Sequence, residues 1–287
     1  MLISNCIINI LDLAVLVKMT QPEPDKFVPF TARLMAAIRA KETQREDSLF
    51  NDPFAAALAG EEAFTVLEEK LTAIDIAYVT VRTRFFDDFL LDTSKQAHQI
   101  VILASGMDTR AYRLPWLPET KIYELDQAQV IETKKTILGD ATATCQHYTI
   151  HADLTKPWSH LLLAQGYQPD LPSVWLLEGL LMYLSEPEIR QLLQTINQLI
   201  SADSSYLGLD LISVASLEHQ LYKGYFRSGF EYPEELLAEY GWLAQVTQPG
   251  DESAHFYRYT YKFPPRDVTG VERAFLIKAH RKQSPLS

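Results

Sequence analysis

The chain of 287 residues has only two cysteines, Cys6 and Cys145, and neither is spaced from the other or from a histidine so as to build a zinc site. A disulfide-stapled scaffold is thereby excluded, and a cytoplasmic protein with no bound metal is expected. Positive charge is also scarce, with 26 Lys and Arg against 37 Asp and Glu, a net charge of −11 and no basic run. Proteins that bind nucleic acid concentrate Lys and Arg against phosphates, so that class is excluded. Glycine numbers only 11, and no Gly-x-Gly-x-x-Gly is present, which removes the fingerprint of a nicotinamide-dependent oxidoreductase. No apolar run reaches the roughly 20 residues of a spanning helix. The longest, residues 1–17 (MLISNCIINILDLAVLV), is interrupted by Asp12 and lacks the basic start and small-x-small cleavage site of a signal sequence. Residues 1–18 are therefore read as an extension outside the folded unit, with Met19 as the expected start, and no stable membrane insertion is expected.

What is present is ordinary globular composition, 47% hydrophobic and 22% charged, at a length that suits one large domain. The expected unit, 19–287, divides into a helical cap (19–95), a core (96–212), a lid insertion (213–242) and C-terminal strands (243–287). In the cap, helical patterning runs from Pro29 to Gly60, with Asp52-Pro53 opening a second helix, and continues from Phe64 to Leu91. The period then changes. Apolar, β-branched runs at 99–104 (QIVILA), 121–126 (KIYELD), 146–152 (QHYTIHA), 173–177 (SVWLL) and 205–212 (SYLGLDLI) alternate with helical stretches at 127–138, 158–164 and 186–200. Such alternation requires a parallel sheet wound by right-handed crossovers. A helix at 233–240 and strands at 243–248 and 274–279, with 255–262 extended between them, complete an α/β Rossmann-like fold.

In such a sheet the ligand lies beyond the carboxyl ends of the strands, at the point where strand order reverses. The strand ends here read Ala104-Ser105-Gly106-Met107-Asp108, Glu124-Leu125-Asp126, Ala152-Asp153-Leu154, Glu178-Gly179 and Asp210. One glycine and a ring of acids suit a ligand that has a ribose and positive charge but no phosphate, as S-adenosyl-L-methionine does. Asp126 is placed to accept the ribose hydroxyls, Asp153 to meet the adenine amine with Leu154 against the ring, and Glu178 to hold the α-ammonium. Arg110, Arg113 and Asp108 read either as a polar network under the loop or as surface charge.

The stretches FVPFTARLMAAIRAKETQREDSLFNDPFAAAL, VILASGMDTRAYRLPW, YELDQAQVIETKK, ADLTKPW and WLLEGLLMYL also resemble the leucine carboxyl methyltransferase family, in its bacterial O-methyltransferase branch. The resemblance implies a class I S-adenosylmethionine-methyltransferase fold: a seven-stranded, mostly parallel sheet with helices on both faces and a helical cap. It implies that Arg82 pairs with the methionine carboxylate, with Arg84 as the competing choice, and that Gly106, Asp126, Asp153, Leu154 and Glu178 line the cofactor. One departure stands out: where the family loop begins with Gly-Ala or Gly-Cys, this chain has Ala104-Ser105.

The expected activity is O-methylation of a small, largely apolar metabolite of polyketide or nonribosomal peptide type, as in secondary metabolism. The alternatives are carboxyl methylation of a protein C-terminus and cofactor binding without turnover. A carboxylate acceptor needs no general base. For a hydroxyl acceptor the candidates are His151, Asp210, His219 and Tyr183, none with a partner spacing that marks it. The strand pattern puts His151 in the core or on the helix-covered face. The acceptor pocket is expected from His219, Tyr222, Tyr225, Phe226, Phe230, Tyr232, Tyr240 and Trp242, in a monomer or homodimer.

Overall fold

A computed structural model describes residues 24–202, 204–218 and 225–281. The predicted extension 1–18, together with His219 and Tyr222, lies outside them. Among the described residues three helices come first: α1 (Pro24–Thr43), α2 (Ala55–Lys70) and α3 (Ala73–Thr93). There follow β1 (Gln99–Leu103), α4 (Arg110–Arg113), β2 (Lys121–Asp126), α5 (Ala128–Leu138), β3 (Gln146–His151), α6 (Ser159–Ala164) and β4 (Ser173–Leu177). A 3₁₀ turn (Leu181–Tyr183) leads to α7 (Glu186–Gln198), β5 (Tyr206–Ile212), α8 (Ala215–Glu218), α9 (Pro233–Ala238), β6 (Trp242–Thr247) and β7 (Ala274–Arg281).

The seven described strands form one sheet in the order β3-β2-β1-β4-β5-β7-β6. The first five in that order run parallel, and β7 inserts antiparallel to both β5 and β6. Strand order reverses between β1 and β4, which opens a crevice beyond their carboxyl ends. Successive side chains leave a strand on opposite faces, and the central strands are apolar on both. Thus Ile100, Ile102, Ile122, Val174 and Leu176 pack against the cap helices α1, α2 and α3, while Val101, Leu103, Leu125, Trp175 and Leu177 pack against α6, α7 and α9. Among the described residues, no helix is long and apolar enough to cross a membrane.

The cap departs from the expected pattern in two places. The first helix ends at Thr43, and Asp52-Pro53 lies in the connection ahead of α2, where the buried Asp52 carboxylate accepts the Phe54 N–H. The expected continuous helix from Phe64 to Leu91 is broken at Leu71-Thr72 by a capping box. There Thr72 Oγ1 accepts from the Asp75 N–H, and the Asp75 carboxylate takes the Thr72 N–H at 2.8 Å and its hydroxyl at 2.6 Å. That restart sets the phase of α3 and so the direction of Arg82. The segment 255–262 is not extended either: residues 256–258 form a turn, with Phe256 and Tyr257 at positive φ. Loss of the cap in Thr72→Ala should lower stability by about 1 kcal/mol, read as a shifted urea midpoint with unchanged slope.

Candidate active site

A cavity of about 340 Å³ lies at the strand switch point, beneath the cap. It is lined by Arg82, Gly106, Asp126, Asp153, Leu154 and Glu178, and also by Tyr183. Arg84, the competing choice, points elsewhere: it bonds Asp88 at 2.9 Å and the Leu49 carbonyl at 2.7 Å.

The floor is the turn after β1. Gly106 has φ 51°, and an added Cβ would stand 3.1 Å from Ala32 Cβ on α1, so the cap closes directly on the loop. The Gly106 N–H donates to Asp126 Oδ2 at 2.7 Å and the Gln127 N–H to Asp126 Oδ1 at 2.7 Å. Asp126 thus ties the β1 turn to the end of β2 while facing the cavity. Its pKa is raised by burial, against the pull of these two N–H groups. At the far rim, Asp153 accepts from the Thr155 N–H and hydroxyl and from Lys156, which hold its carboxyl down at about 2.

Ala104 carries the departure noted in the sequence, and its φ is 51°. A left-handed alanine crowds its Cβ against the following carbonyl, a strain that glycine avoids. Hydrogen bonds just beyond it, Ser105 N–H to the Leu125 carbonyl (3.3 Å) and Asp108 N–H to the Ser105 carbonyl (2.9 Å), hold the turn regardless.

A buried ionic chain runs through the site. Glu178, just past β4, accepts Arg82 Nε at 2.9 Å on one oxygen and Arg110 Nη1 at 2.9 Å on the other. Arg82 also reaches Asp210 at 3.0 Å, and Asp210 accepts in addition from the Gly179 N–H (2.6 Å) and the Tyr78 hydroxyl (3.3 Å). Arg110 pairs with Asp87 at 2.7 Å and with Asp108. Burial alone would push the Asp108 pKa up, but the neighbouring Arg110, Lys134 and Arg113 charges bring it down to about 2. Arg113 grips Asp87 through two bonds of 2.7 Å and approaches Asp52 at 3.9 Å. Asp52 in turn receives Arg39 at 2.8 Å and the Thr109 hydroxyl at 2.7 Å, and Arg39 donates to the Met107 carbonyl at 2.5 Å. Arg110 and Arg113 are therefore a network, not surface charge. Arg39, Asp52 and Asp87 belong to it without having been expected; the one sequence cue was a run of charges on helices whose other residues are apolar.

Two base candidates lie outside the cavity lining. Asp210 does not line the cavity, and its oxygens are committed to Arg82, Gly179 and Tyr78. His151 stands neither in the core nor under a helix: its ring is half exposed, pairs with Glu132 at 2.9 Å and is absent from the lining. Tyr183 does line the cavity, edge-on to Phe226 at 5.2 Å, with burial pushing its phenol up to about 12. A phenol with that pKa keeps its proton at neutral pH. Phe226 reaches the cavity because the Arg227 N–H bonds the Met182 carbonyl at 2.7 Å. The other described aromatics expected in the acceptor pocket do not line it: Phe230, Tyr240 and Trp242 join the opposite core, Tyr232 is half exposed, and Tyr225 lies outside the lining. Tyr259 and Phe263, from the connection between β6 and β7, take their place.

The strand order, the reversed seventh strand and the cavity at the switch point define the class I S-adenosylmethionine-methyltransferase fold. Residues 32–197 match the family described as leucine carboxyl methyltransferase, and the chain belongs to that family. A protein of Mycobacterium marinum, provisionally named an S-adenosyl-L-methionine-dependent methyltransferase, is 40% identical over 65% of this chain and 64% of its own length. One of Saccharopolyspora erythraea with the same provisional name is 34% identical over 80% of this chain and 88% of its own. The chain spans just under two thirds of the length of the M. marinum relative. A structure from Thermobifida fusca, provisionally called a methyltransferase, superposes with a TM-score of 0.57 at 16% identity, covering 91% of this chain and 99% of that one. An O-methyltransferase family protein from Burkholderia thailandensis gives 0.51 at 14%, covering 86% and 68%. At these identities the two structures speak to the fold alone.

Relief of the left-handed alanine in Ala104→Gly should raise stability by about 0.5–1 kcal/mol, seen as a higher thermal midpoint. Asp52→Ala leaves Arg39 and Arg113 without their shared carboxylate and should cost about 3–5 kcal/mol in urea denaturation.

Proposed function

We propose that the protein is an S-adenosyl-L-methionine-dependent O-methyltransferase that methylates a carboxyl or hydroxyl oxygen of a small, largely apolar metabolite of polyketide or nonribosomal peptide type. The observation that carries this reading is the charge set under the cavity. Four guanidiniums, Arg39, Arg82, Arg110 and Arg113, are linked to five carboxylates, Asp52, Asp87, Asp108, Glu178 and Asp210. Within that chain the carboxylates outnumber the guanidiniums by one, and Asp126 and Asp153 line the cavity outside it, which suits a cation held at the strand ends. The cofactor class in the relatives' provisional names agrees with that chemistry.

The roles follow from position. Asp126, with both oxygens already ordered by backbone N–H groups, has lone pairs left to accept the two ribose hydroxyls. Asp153 and Leu154 meet the adenine, Glu178 the α-ammonium and Arg82 the methionine carboxylate. Because Glu178 and Arg82 are bonded to each other, they present adjacent opposite charges to a zwitterion. When bound, the cofactor supplies an electrophilic methyl group on a sulfonium. The chain's own contribution is to hold an acceptor oxygen in line, exclude water and donate a hydrogen bond from Tyr183. With Asp210 committed and His151 remote, neither of those two candidates is placed to act as a general base, and an acceptor that is already ionised, such as a carboxylate, needs none.

The direct test is transfer of label from methyl-labelled S-adenosylmethionine to a panel of apolar acids and phenols. Failure to bind the cofactor would overturn the reading, whereas binding without transfer would leave a cofactor-binding protein. Asp126→Ala should weaken calorimetric affinity by about tenfold or more. Arg82→Ala should weaken it comparably and Arg84→Ala should not; the reverse result moves the carboxylate to Arg84.

A further inference from the structure

The cavity lining also includes the apolar or aromatic side chains of Tyr183, Ile212, Phe226, Tyr259 and Phe263, together with Arg273. Three of these come from residues 248–273, which join β6 to β7. Adjacent antiparallel strands need only a tight turn, and connections this long without helix or strand are uncommon and usually functional. The register explains where this one goes: β5 ends at Ile212 opposite Ala274, the first residue of β7, and β6 ends at Thr247 opposite Leu276. Both ends of the connection therefore sit on the rim that carries the cavity.

The connection is tightly determined. At Gly250 (φ 91°) a Cβ would lie 1.9 Å from the Tyr261 carbonyl oxygen, so two stretches of its backbone are in contact. Phe256 and Tyr257 are consecutive non-glycine residues at φ 44° and 56°, a conformation that L-residues enter only under constraint. Arg258 supplies part of that constraint, reaching back to Glu42 on α1 at 3.2 Å. The rest comes from Arg273, which is 1% exposed. Its Nη1 donates to the Gln248 side-chain oxygen at 2.9 Å and to the Pro264 carbonyl at 2.6 Å; its Nη2 donates to the carbonyls of Pro265 at 2.7 Å and Val268 at 3.2 Å. These four acceptors are neutral oxygens, so the guanidinium serves here as a rigid planar fork rather than as half of an ion pair. They bracket Phe263, whose ring stacks on Tyr259 at 6.4 Å and 16°.

We propose that Arg273 is the positioning residue of the acceptor wall: by gathering the Gln248, Pro264, Pro265 and Val268 oxygens it fixes Phe263 and Tyr259 against the apolar half of the cavity. It thereby sets affinity for an apolar acceptor separately from affinity for the cofactor. This rests on the functional reading above only for what the two halves bind. A lysine keeps the charge but offers one nitrogen with three donors, which cannot span four oxygens.

The test compares the full chain with Arg273→Lys, Phe263→Ala and Gln248→Leu. It uses amide hydrogen exchange, calorimetry with S-adenosylhomocysteine, and fluorescence titration with the neutral dye N-phenyl-1-naphthylamine on protein saturated with that cofactor product. In Arg273→Lys, amides of residues 258–268 should exchange about tenfold faster or more, while those of β1 and β2 keep their protection. Dye affinity should fall about tenfold, as in Phe263→Ala, with S-adenosylhomocysteine affinity within about twofold of the parent. Gln248→Leu, which removes one acceptor of four, should show a smaller change in the same direction and carries the test if the lysine variant does not fold. Parental exchange across 258–268, parental dye binding, or an equal loss of S-adenosylhomocysteine affinity would each overturn the proposal. If the parent chain itself does not bind S-adenosylhomocysteine, the functional reading fails, and the exchange measurement still judges Arg273.

Discussion

The carboxylate of Glu178 receives Arg82 from the cap helix α3 on one oxygen and Arg110 from α4 on the other, and the rest of the site depends on that sharing. A lone buried ion pair is weak evidence of stability, because desolvation offsets much of the attraction. A connected chain differs in that most of its charges have more than one partner, and its members come from several elements. Arg39 belongs to α1, Asp52 to the connection before α2, Asp87 to α3, Asp108 to the turn after β1 and Asp210 to β5. Cap and sheet are therefore registered by directional bonds as well as by the apolar packing of Leu34, Ile38, Phe86 and Leu90. The packing can slide with modest loss, but bidentate guanidiniums cannot.

The same chain contributes to the cavity lining groups whose protonation is fixed by neighbours, such as Asp108 and Arg110. The proposed function assigns these to the cofactor, and the aromatic lining with Tyr183, whose proton burial retains, to the acceptor. On the proposed reading, such a site works by alignment and desolvation.

Much of this was legible in the sequence because strands buried on both faces leave continuous apolar runs, and because their ends lie in chain order along the rim. The five parallel strands and the acids Asp126, Asp153 and Glu178 follow from that logic, as does their convergence on one cavity. The misses share a cause. Asp210 reads as one more strand-end acid, yet its surroundings, Arg82, Tyr78 and the Gly179 N–H, come from three other parts of the chain. His151 lies at the end of β3, an edge strand, where one side lacks a covering neighbour and period-2 reasoning about burial fails. The aromatic density of 225–242 reads as a pocket, but three of those rings, Phe230, Tyr240 and Trp242, pack into the opposite core beside α9 and β6. Tyr259 and Phe263 carry no periodic signal, because the backbone that presents them is irregular and is shaped by Arg273.

The placement of β7 bears on how the molecule is made. β6 leaves the ribosome before β7, yet among the described strands its hydrogen-bonding partner is β7, which must enter between it and β5. The parallel part of the sheet can assemble as its strands emerge, whereas β6 waits with an unpaired edge until residues 274–281 are synthesised. The connection 248–273, which carries Tyr259 and Phe263, is consequently anchored at both ends only once β7 has paired. A chain truncated before Arg273 would retain the acids of the cofactor half without the strand and the guanidinium that close the other half.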